Sequence, residues 1–185
     1  MKRYIITGAP GSGKTAIIRQ LELEGFSVVD EAATDVIAAA QAQGGEEPWK
    51  QPSFIEQIAA LQRDRQIRAS HQPDKIQFHD RSAVCTAALA SYLGYPVSAV
   101  LSAELDRIKA NAVYDQRVFF IRNLGFMVNT EARRITFEET LRFEKIHEET
   151  YCNFGFELIN IGPGKVQERT RNIKSFLNLS DVQHA

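Results

Sequence analysis

Gly8-Ala9-Pro10-Gly11-Ser12-Gly13-Lys14-Thr15 is a run of residues suited to holding phosphate. It fits G-x-x-x-x-G-K-[ST], the P-loop pattern. Polyphosphate needs many donors at close range. Glycines admit positive φ and let backbone N–H groups approach with no Cβ in the way. A helix starting at the end of the loop adds free N–H donors and the positive end of its dipole. Lys14 offers a mobile point charge to the β- and γ-phosphates, and Thr15 offers a hydroxyl to Mg²⁺. Pro10 gives up one donor and fixes φ in the loop. The expected nucleotide contacts are Gly8, Ala9, Pro10, Gly11, Ser12, Gly13, Lys14, Thr15 and Ala16. Chance produces the pattern in roughly one chain per hundred or fewer at this length. The flanks lower that further: Tyr4-Ile5-Ile6 can be a buried strand, and Ala16–Leu21 can be a helix.

Three further groups of residues have chemical types that match a triphosphate. Val28-Val29-Asp30-Glu31 is an apolar pair followed by two acids. A carboxylate just past a parallel strand faces the crevice at the sheet's carboxyl edge. Asp30 or Glu31, with the weight on Glu31, is a candidate general base for an acceptor hydroxyl, or the group that orients a water. Lys75-Ile76-Gln77-Phe78-His79-Asp80-Arg81-Ser82 is a strand ending in Asp, the general form of a Walker-B element. Asp80 is the second expected Mg²⁺ residue, with Thr15. Arg81 can form bidentate bonds to a phosphoryl group. Ser82 reads as the cap of the next helix. His79 points to the opposite side of the strand from Asp80 and reads as packed. The third group is Arg133-Arg134, with Arg122 upstream. An arginine brought in by closure stabilises charge on the transferring phosphoryl group.

These groups need a frame. Five short apolar runs read as strands: Arg3–Thr7, Ser27–Val29, Ile76–His79, Arg117–Ile121 and Glu157–Ile161. Helical patterns fill the intervals at Lys14–Leu23, Glu31–Gln43, Ser53–Ser70, Ala83–Leu93, Ser98–Ala112, Phe137–Cys152 and Lys165–Leu177. The alternation predicts an α/β domain with a mostly parallel sheet. Ser53 and Glu56 have capping-box spacing. Gly25, Gly94 and Gly155 stand where helices should stop. The polar face of helix 53–70, with Gln57, Gln62, Arg63, Arg65 and Arg68, reads as solvent-facing, as does the charged face of helix 137–152. The segment 44–52 is a loop that carries Trp49, expected as an anchor. Asn123–Thr136 is a second loop and the expected lid. The whole chain, 1–185, reads as one domain.

Composition narrows the partners. The chain has 185 residues, 44% of them hydrophobic, and a net charge of −1. Nothing in that balance points to nucleic acid or membrane. Cys85 and Cys152 have no framework or metal spacing and read as buried free thiols, with a reducing cytoplasm as the expected compartment.

The P-loop, the acid after the second strand, Asp80-Arg81-Ser82 after the third and an arginine-bearing loop occur in that order. In this the chain resembles the nucleoside and nucleotide kinase group of P-loop proteins. It is most similar to the small bacterial proteins labelled AAA-type ATPases that resemble the kinase domain of the NAD-metabolism regulator. The resemblance covers nearly the whole chain. It implies a three-layer fold with a five-stranded parallel sheet in the order 2-3-1-4-5. It implies Glu31 as the base, since deoxynucleoside kinases place a glutamate there. Asp80-Arg81-Ser82 resembles their Glu-Arg-Ser motif, and Arg133 and Arg134 match their lid arginines loosely. It places adenine near Gly162-Pro163-Gly164. Helix 53–70 matches no nucleoside-kinase pattern that would name a base. No ring-motor sensor sequence is present.

Together these residues predict an ATP- and Mg²⁺-dependent phosphotransferase acting on a small nucleoside- or nucleotide-like acceptor. Lys14, Glu31, Asp80, Arg81, Arg133 and Arg134 are its expected catalytic residues. The alternative is a nucleotide-dependent switch or slow ATPase that signals to a protein partner.

Overall fold

The computed structural model describes residues 1–124 and 136–179. Five parallel strands, β1 (Lys2–Thr7), β2 (Ser27–Val29), β3 (Ile76–Asp80), β4 (Arg117–Ile121) and β5 (Glu157–Ile161), form one sheet in the order β2-β3-β1-β4-β5. The helices are α1 (Lys14–Leu23), α2 (Ala33–Ala42), α3 (Ser53–Ala69), α4 (Ala83–Leu93), α5 (Ala99–Ala110), α6 (Phe137–Asn153) and α7 (Val166–Phe176). A short 3₁₀ turn spans Pro48–Lys50.

Strand alternation sorts the core into two layers. Tyr4 and Ile6 of β1 pack with Ile17, Ile18, Leu21, Phe78, Phe119, Ile121, Ile161 and Ile173, under α1 and α7. Ile5 points the other way and joins Val36, Phe54, Ile58, Val84, Leu101, Leu105, Val118 and Tyr151, under the remaining helices. The same alternation places the charged residues. In the β1–β3 register Ile6 stands beside Asp80 and Ile5 beside His79. Asp80 therefore leans toward the α1 face, and His79 enters the opposite layer, where it is buried edge-on against Tyr114.

Several helix ends differ from the expectation: α2 starts at Ala33, two residues late, and the expected cap of α3 does not form. Ser53 is the first residue of α3, after Pro52, and its side chain makes no cap; the Pro52 start puts Ser53 inside the helix. The capping box lies at α6, where Thr136 and Glu139 bond reciprocally. Gly94 and Gly155 close α4 and α6 with positive φ as expected. Trp49 packs against the larger core layer, and its carbonyl accepts from the Tyr95 hydroxyl at 3.0 Å, so it is an anchor. Cys85 is buried as expected, but Cys152 is exposed, since the last turn of α6 turns that position outward. No helix among the described residues is long and apolar enough to cross a membrane.

Gly8 ties the P-loop to the sheet. It has φ +147°, and a Cβ there would strike the Ile121 carbonyl at the end of β4. Gly8→Ala is expected to cost about 2 kcal/mol or more, combining backbone strain with that clash. The check is a melting temperature roughly 4–8 °C lower by differential scanning calorimetry. An unchanged melting temperature would contradict the close approach.

Candidate active site

The P-loop leaves β1 at Thr7 and enters α1 at Lys14. Gly11 and Gly13 both have φ +80°, the left-handed conformation that costs a glycine little. Gly13 is the N-cap of α1, and no side chain caps that helix. The first N–H groups of α1 are thereby left for an anion. The Ser12 hydroxyl is buried in the loop with no hydrogen-bond partner. Thr15 lies exposed at the start of α1.

Four charged side chains converge beside this loop. Lys14, 6% exposed, forms an ion pair with Asp80, 7% exposed. Arg81 donates from Nε to Glu31 Oε1 at 2.6 Å. Glu31 lies in the β2–α2 connection, because α2 begins at Ala33, later than the sequence pattern suggests. Thr34 donates its hydroxyl to the other Glu31 oxygen at 3.0 Å. Arg65 of α3 donates to the Glu31 and Asp30 carbonyls and pairs with Asp35, which fixes the connection that carries Glu31. Asp30 itself turns outward to Arg19, 3.3 Å away, leaving Glu31 as the acid of the pair that faces Arg81.

Arg81 holds an unusual backbone conformation, with φ 72°. A non-glycine residue there carries strain and persists only where its surroundings fix it. Its N–H donates to the Ile6 carbonyl at 3.1 Å. Ser82 caps α4 through Val84 N–H, and its hydroxyl lies 3.0 Å from the Tyr151 hydroxyl. Arg81 Nη1 lies 3.3 Å from Nε2 of His147. His147 and Tyr151 are one turn apart on α6, so one helix face backs the whole Asp80-Arg81-Ser82 turn. The spacing of this charged stretch of α6 predicts a solvent-facing surface. In fact Glu144 and His147 are buried, because α6 packs along α4.

Other expected positions fall elsewhere. Arg122 is held over the Phe120 ring and bonds Glu144, Glu148 and Asn160, so its partners are not the four charged groups. Arg133 and Arg134, and nearly all of the expected lid, lie outside the described residues. Gln62 and Gln66 on the polar face of α3 are buried, not solvated; Thr86 donates to Gln62 at 2.7 Å. A cavity of about 10 Å³ between Gln62, His79, Asp80, Arg81 and Tyr114 has room for about one water. A larger groove of about 360 Å³ runs along β2 and α3 past Arg65 and Arg68, and includes none of the four charged groups.

Arg169 of α7 is a residue that sequence reasoning missed. It is 2% exposed and donates to the Ser12 carbonyl at 2.8 Å and the Arg122 carbonyl at 3.1 Å. It thereby straps the P-loop to the end of β4. Burial lowers its pKa. Its spacing in the sequence is that of an ordinary amphipathic helix; only the packing of α7 on α1 reveals the contact.

The electrostatics follow from the pairs. Burial works to raise the Glu31 pKa, but the Arg81 and Lys14 cations outweigh it and hold it at about 2. Burial raises the pKa of Asp80, the Lys14 ammonium pulls it back, and Glu31 adds to the rise. Burial opposes the Arg81 charge; the Glu31 carboxylate overrides it and pushes that pKa up. His147 is lowered to about 3 by burial and by Arg81 beside it. A hydroxyl at Thr15 and a carboxylate at Asp80 are hard oxygen donors. That set fits Mg²⁺, which keeps waters and substrate phosphates as its other ligands. No richer cluster of metal-binding side chains occurs among the described residues.

Comparison with known proteins identifies the family and the fold. A family model described as an AAA domain matches residues 3–169. Curated protein sequences yield no match. Among solved structures, the NadR protein in complex with NR superposes with a TM-score of 0.74 at 15% identity, over 100% of this chain and 54% of that one. The chain thus spans about half the length of that NadR protein. Deoxyadenosine kinase from M. mycoides with bound dATP superposes with a TM-score of 0.62 at 15% identity, over 96% of this chain and 100% of that one. The fold is the P-loop kinase-like α/β fold, with the strand order that the resemblance implies.

The Glu31 pair sets a pH dependence. Its folded pKa of about 2 lies below the unfolded value of roughly 4.3. Its contribution to stability is full above the unfolded pKa and is lost as pH falls toward the folded one. Urea midpoints are expected to fall between about pH 4.5 and pH 2 in the wild type. Glu31→Gln should flatten that part of the profile and lower the midpoint at pH 7, since Arg81 loses its counter-charge. Parallel profiles for the two proteins would refute the pairing.

Proposed function

The chain belongs to the AAA domain family that matches residues 3–169, and we propose that it transfers the γ-phosphoryl group of ATP to a small nucleoside- or nucleotide-like acceptor. The observation that carries this reading is the Arg81–Glu31 pair standing beside the Lys14–Asp80 pair. A binding module needs only the P-loop. A carboxylate and a guanidinium at the adjoining strand ends supply what a transfer to a second substrate requires. The structural neighbours support the acceptor class: one is described with NR and with NAD and AMP-PNP, the other with dATP.

The residues divide the work. Backbone N–H groups of the P-loop and of the start of α1 hold the polyphosphate. An ammonium has three donors; Lys14 gives one to Asp80 and offers the rest to phosphate oxygens. Thr15 and Asp80 would hold Mg²⁺, which when bound neutralises charge on the phosphates. Glu31 is ionised throughout the physiological range and accepts the hydrogen bond of the acceptor hydroxyl. At a pKa of about 2 it is a weak base, suited to a transfer whose transition state is loose and whose proton leaves late. Arg81 spends Nε on Glu31 and Nη1 on His147. Its Nη2 edge has no hydrogen bond among the described residues and is the edge offered to phosphoryl oxygens. Arg133 and Arg134 are proposed to add charge from the segment after β4.

Two measurements test this. ATP at about a hundred times its Kd is expected to add roughly 2.7 kcal/mol of stability, seen as a thermal shift. No shift at millimolar ATP would remove the premise. In a panel of nucleosides and mononucleotides with ATP and Mg²⁺, at least one acceptor is expected to be phosphorylated. Glu31→Gln should lower that turnover about 10²–10⁴-fold, and Lys14→Ala should abolish it. ATP binding with no acceptor phosphorylated would favour a switch or slow ATPase.

A further inference from the structure

His147 is a buried imidazole that the reaction as described leaves without a task. It is 0% exposed, stacked edge-on against Phe143 with ring centroids 4.2 Å apart. Its two nitrogens have two different neighbours. Nδ1 lies 3.1 Å from the Phe143 carbonyl, one turn back on α6, and Nε2 lies 3.3 Å from Arg81 Nη1. A guanidinium has donors only, so Nε2 must be the acceptor. A carbonyl accepts only, so Nδ1 must carry the proton. Both contacts are satisfied together by one species alone, the neutral Nδ1–H tautomer.

We propose that His147 is a positioning residue for Arg81: its Nε2 lone pair and the Glu31 carboxylate clamp two sides of the guanidinium and turn the third toward the cleft. The inference rests, for its kinetic part, on the phosphotransfer reading above. Arg81 needs such a clamp. Its backbone sits at φ 72°, and a long side chain leaving a strained turn has many rotamers to lose. Glu31 fixes Nε only, and rotation of the head group about that contact would swing the Nη2 edge. A second contact on Nη1 removes that freedom. The partner must be neutral, since a cation there would repel the guanidinium, and it must reach from α6. Lysine or arginine fails the first condition, and the Nδ1–H bond to Phe143 holds the imidazole at the required height. A helix position that the sequence pattern gives to solvent is buried for this contact.

The experiment pairs spectroscopy with kinetics on the full chain. Long-range ¹⁵N–¹H spectra of the imidazole at pH 7 should show His147 as the Nδ1–H tautomer. The Arg81 Nη1–H resonance should be slowly exchanging in wild type and in His147→Gln, whose amide oxygen can replace Nε2. It should be lost to fast exchange in His147→Phe, which fills the space but accepts nothing. On the phosphorylated acceptor, His147→Phe should lose about 10–100-fold in kcat with KM for ATP within twofold, a size expected for a misplacement near 1 Å. His147→Gln should stay within about threefold of wild type. An Nε2–H tautomer, an imidazolium at pH 7, or an Arg81 Nη1–H resonance unchanged in His147→Phe overturns the proposal. So does an equal loss in the Gln and Phe variants. If no acceptor is phosphorylated by the wild type, the phosphotransfer reading fails and the spectra alone still decide the role of His147.

Discussion

Four ionised groups share one corner of the sheet edge: Lys14 and Arg81, with Asp80 and Glu31. Isolated, any one of them would be costly to bury. Two of each sign, paired across short contacts, make a neutral cluster that the fold can tolerate. The pairing is also what makes the corner chemically useful, because it keeps ionised groups of both signs fixed beside a loop of free N–H donors. The rest of the structure is arranged to hold these pairs. β1 delivers the loop, β2 and β3 deliver the acids, and α3 and α6 hold the connections from behind.

Parallel strand order does much of this without any special residue. β3 lies between β1 and β2, so their carboxyl ends are neighbours. The register of Ile6 with Asp80 then turns Asp80 toward α1 and Lys14. What needs special residues is the turn after β3. A left-handed Arg81 is held by its backbone bond to Ile6, by Ser82 through Tyr151, and by its own head group through Glu31 and His147. Strain at one residue is offset by four contacts from three elements. On the other side of the loop, Arg169 braces Ser12 from α7 with no carboxylate pair of its own among the described residues. The two arginines do different work: Arg81 faces the crevice, and Arg169 fixes the wall.

The legible parts of the fold were those with a local cause. The strands and most helix ends were readable because apolar runs and glycines act within a few residues; α1 and α4 match their predicted spans residue for residue. Ser82 as a cap and His79 as a packed ring were also readable, from one position and one alternation. Ser53 misled, because capping spacing is degenerate and Pro52 starts the helix one residue earlier. α6 misled more deeply. Its charges have the spacing of a solvated face, yet Glu144 and His147 turn inward to Arg122 and Arg81. Local spacing records which residues share a helix face. It does not record what lies opposite that face.

The sequence by itself therefore determined the phosphate cradle and the α/β alternation, and it marked Glu31, Asp80 and Arg81 as chemical residues at strand ends. These follow from short-range rules: glycine's conformational freedom, the period of a strand and the capping of a helix. Only the tertiary structure decided how those residues pair. Lys14 meets Asp80 across 66 positions, Arg81 meets Glu31 across 50, and Arg81 meets His147 across another 66. Contacts at such separations depend on strand order and helix packing. The type of either partner does not specify them, since a carboxylate satisfies any cation that the fold brings within reach.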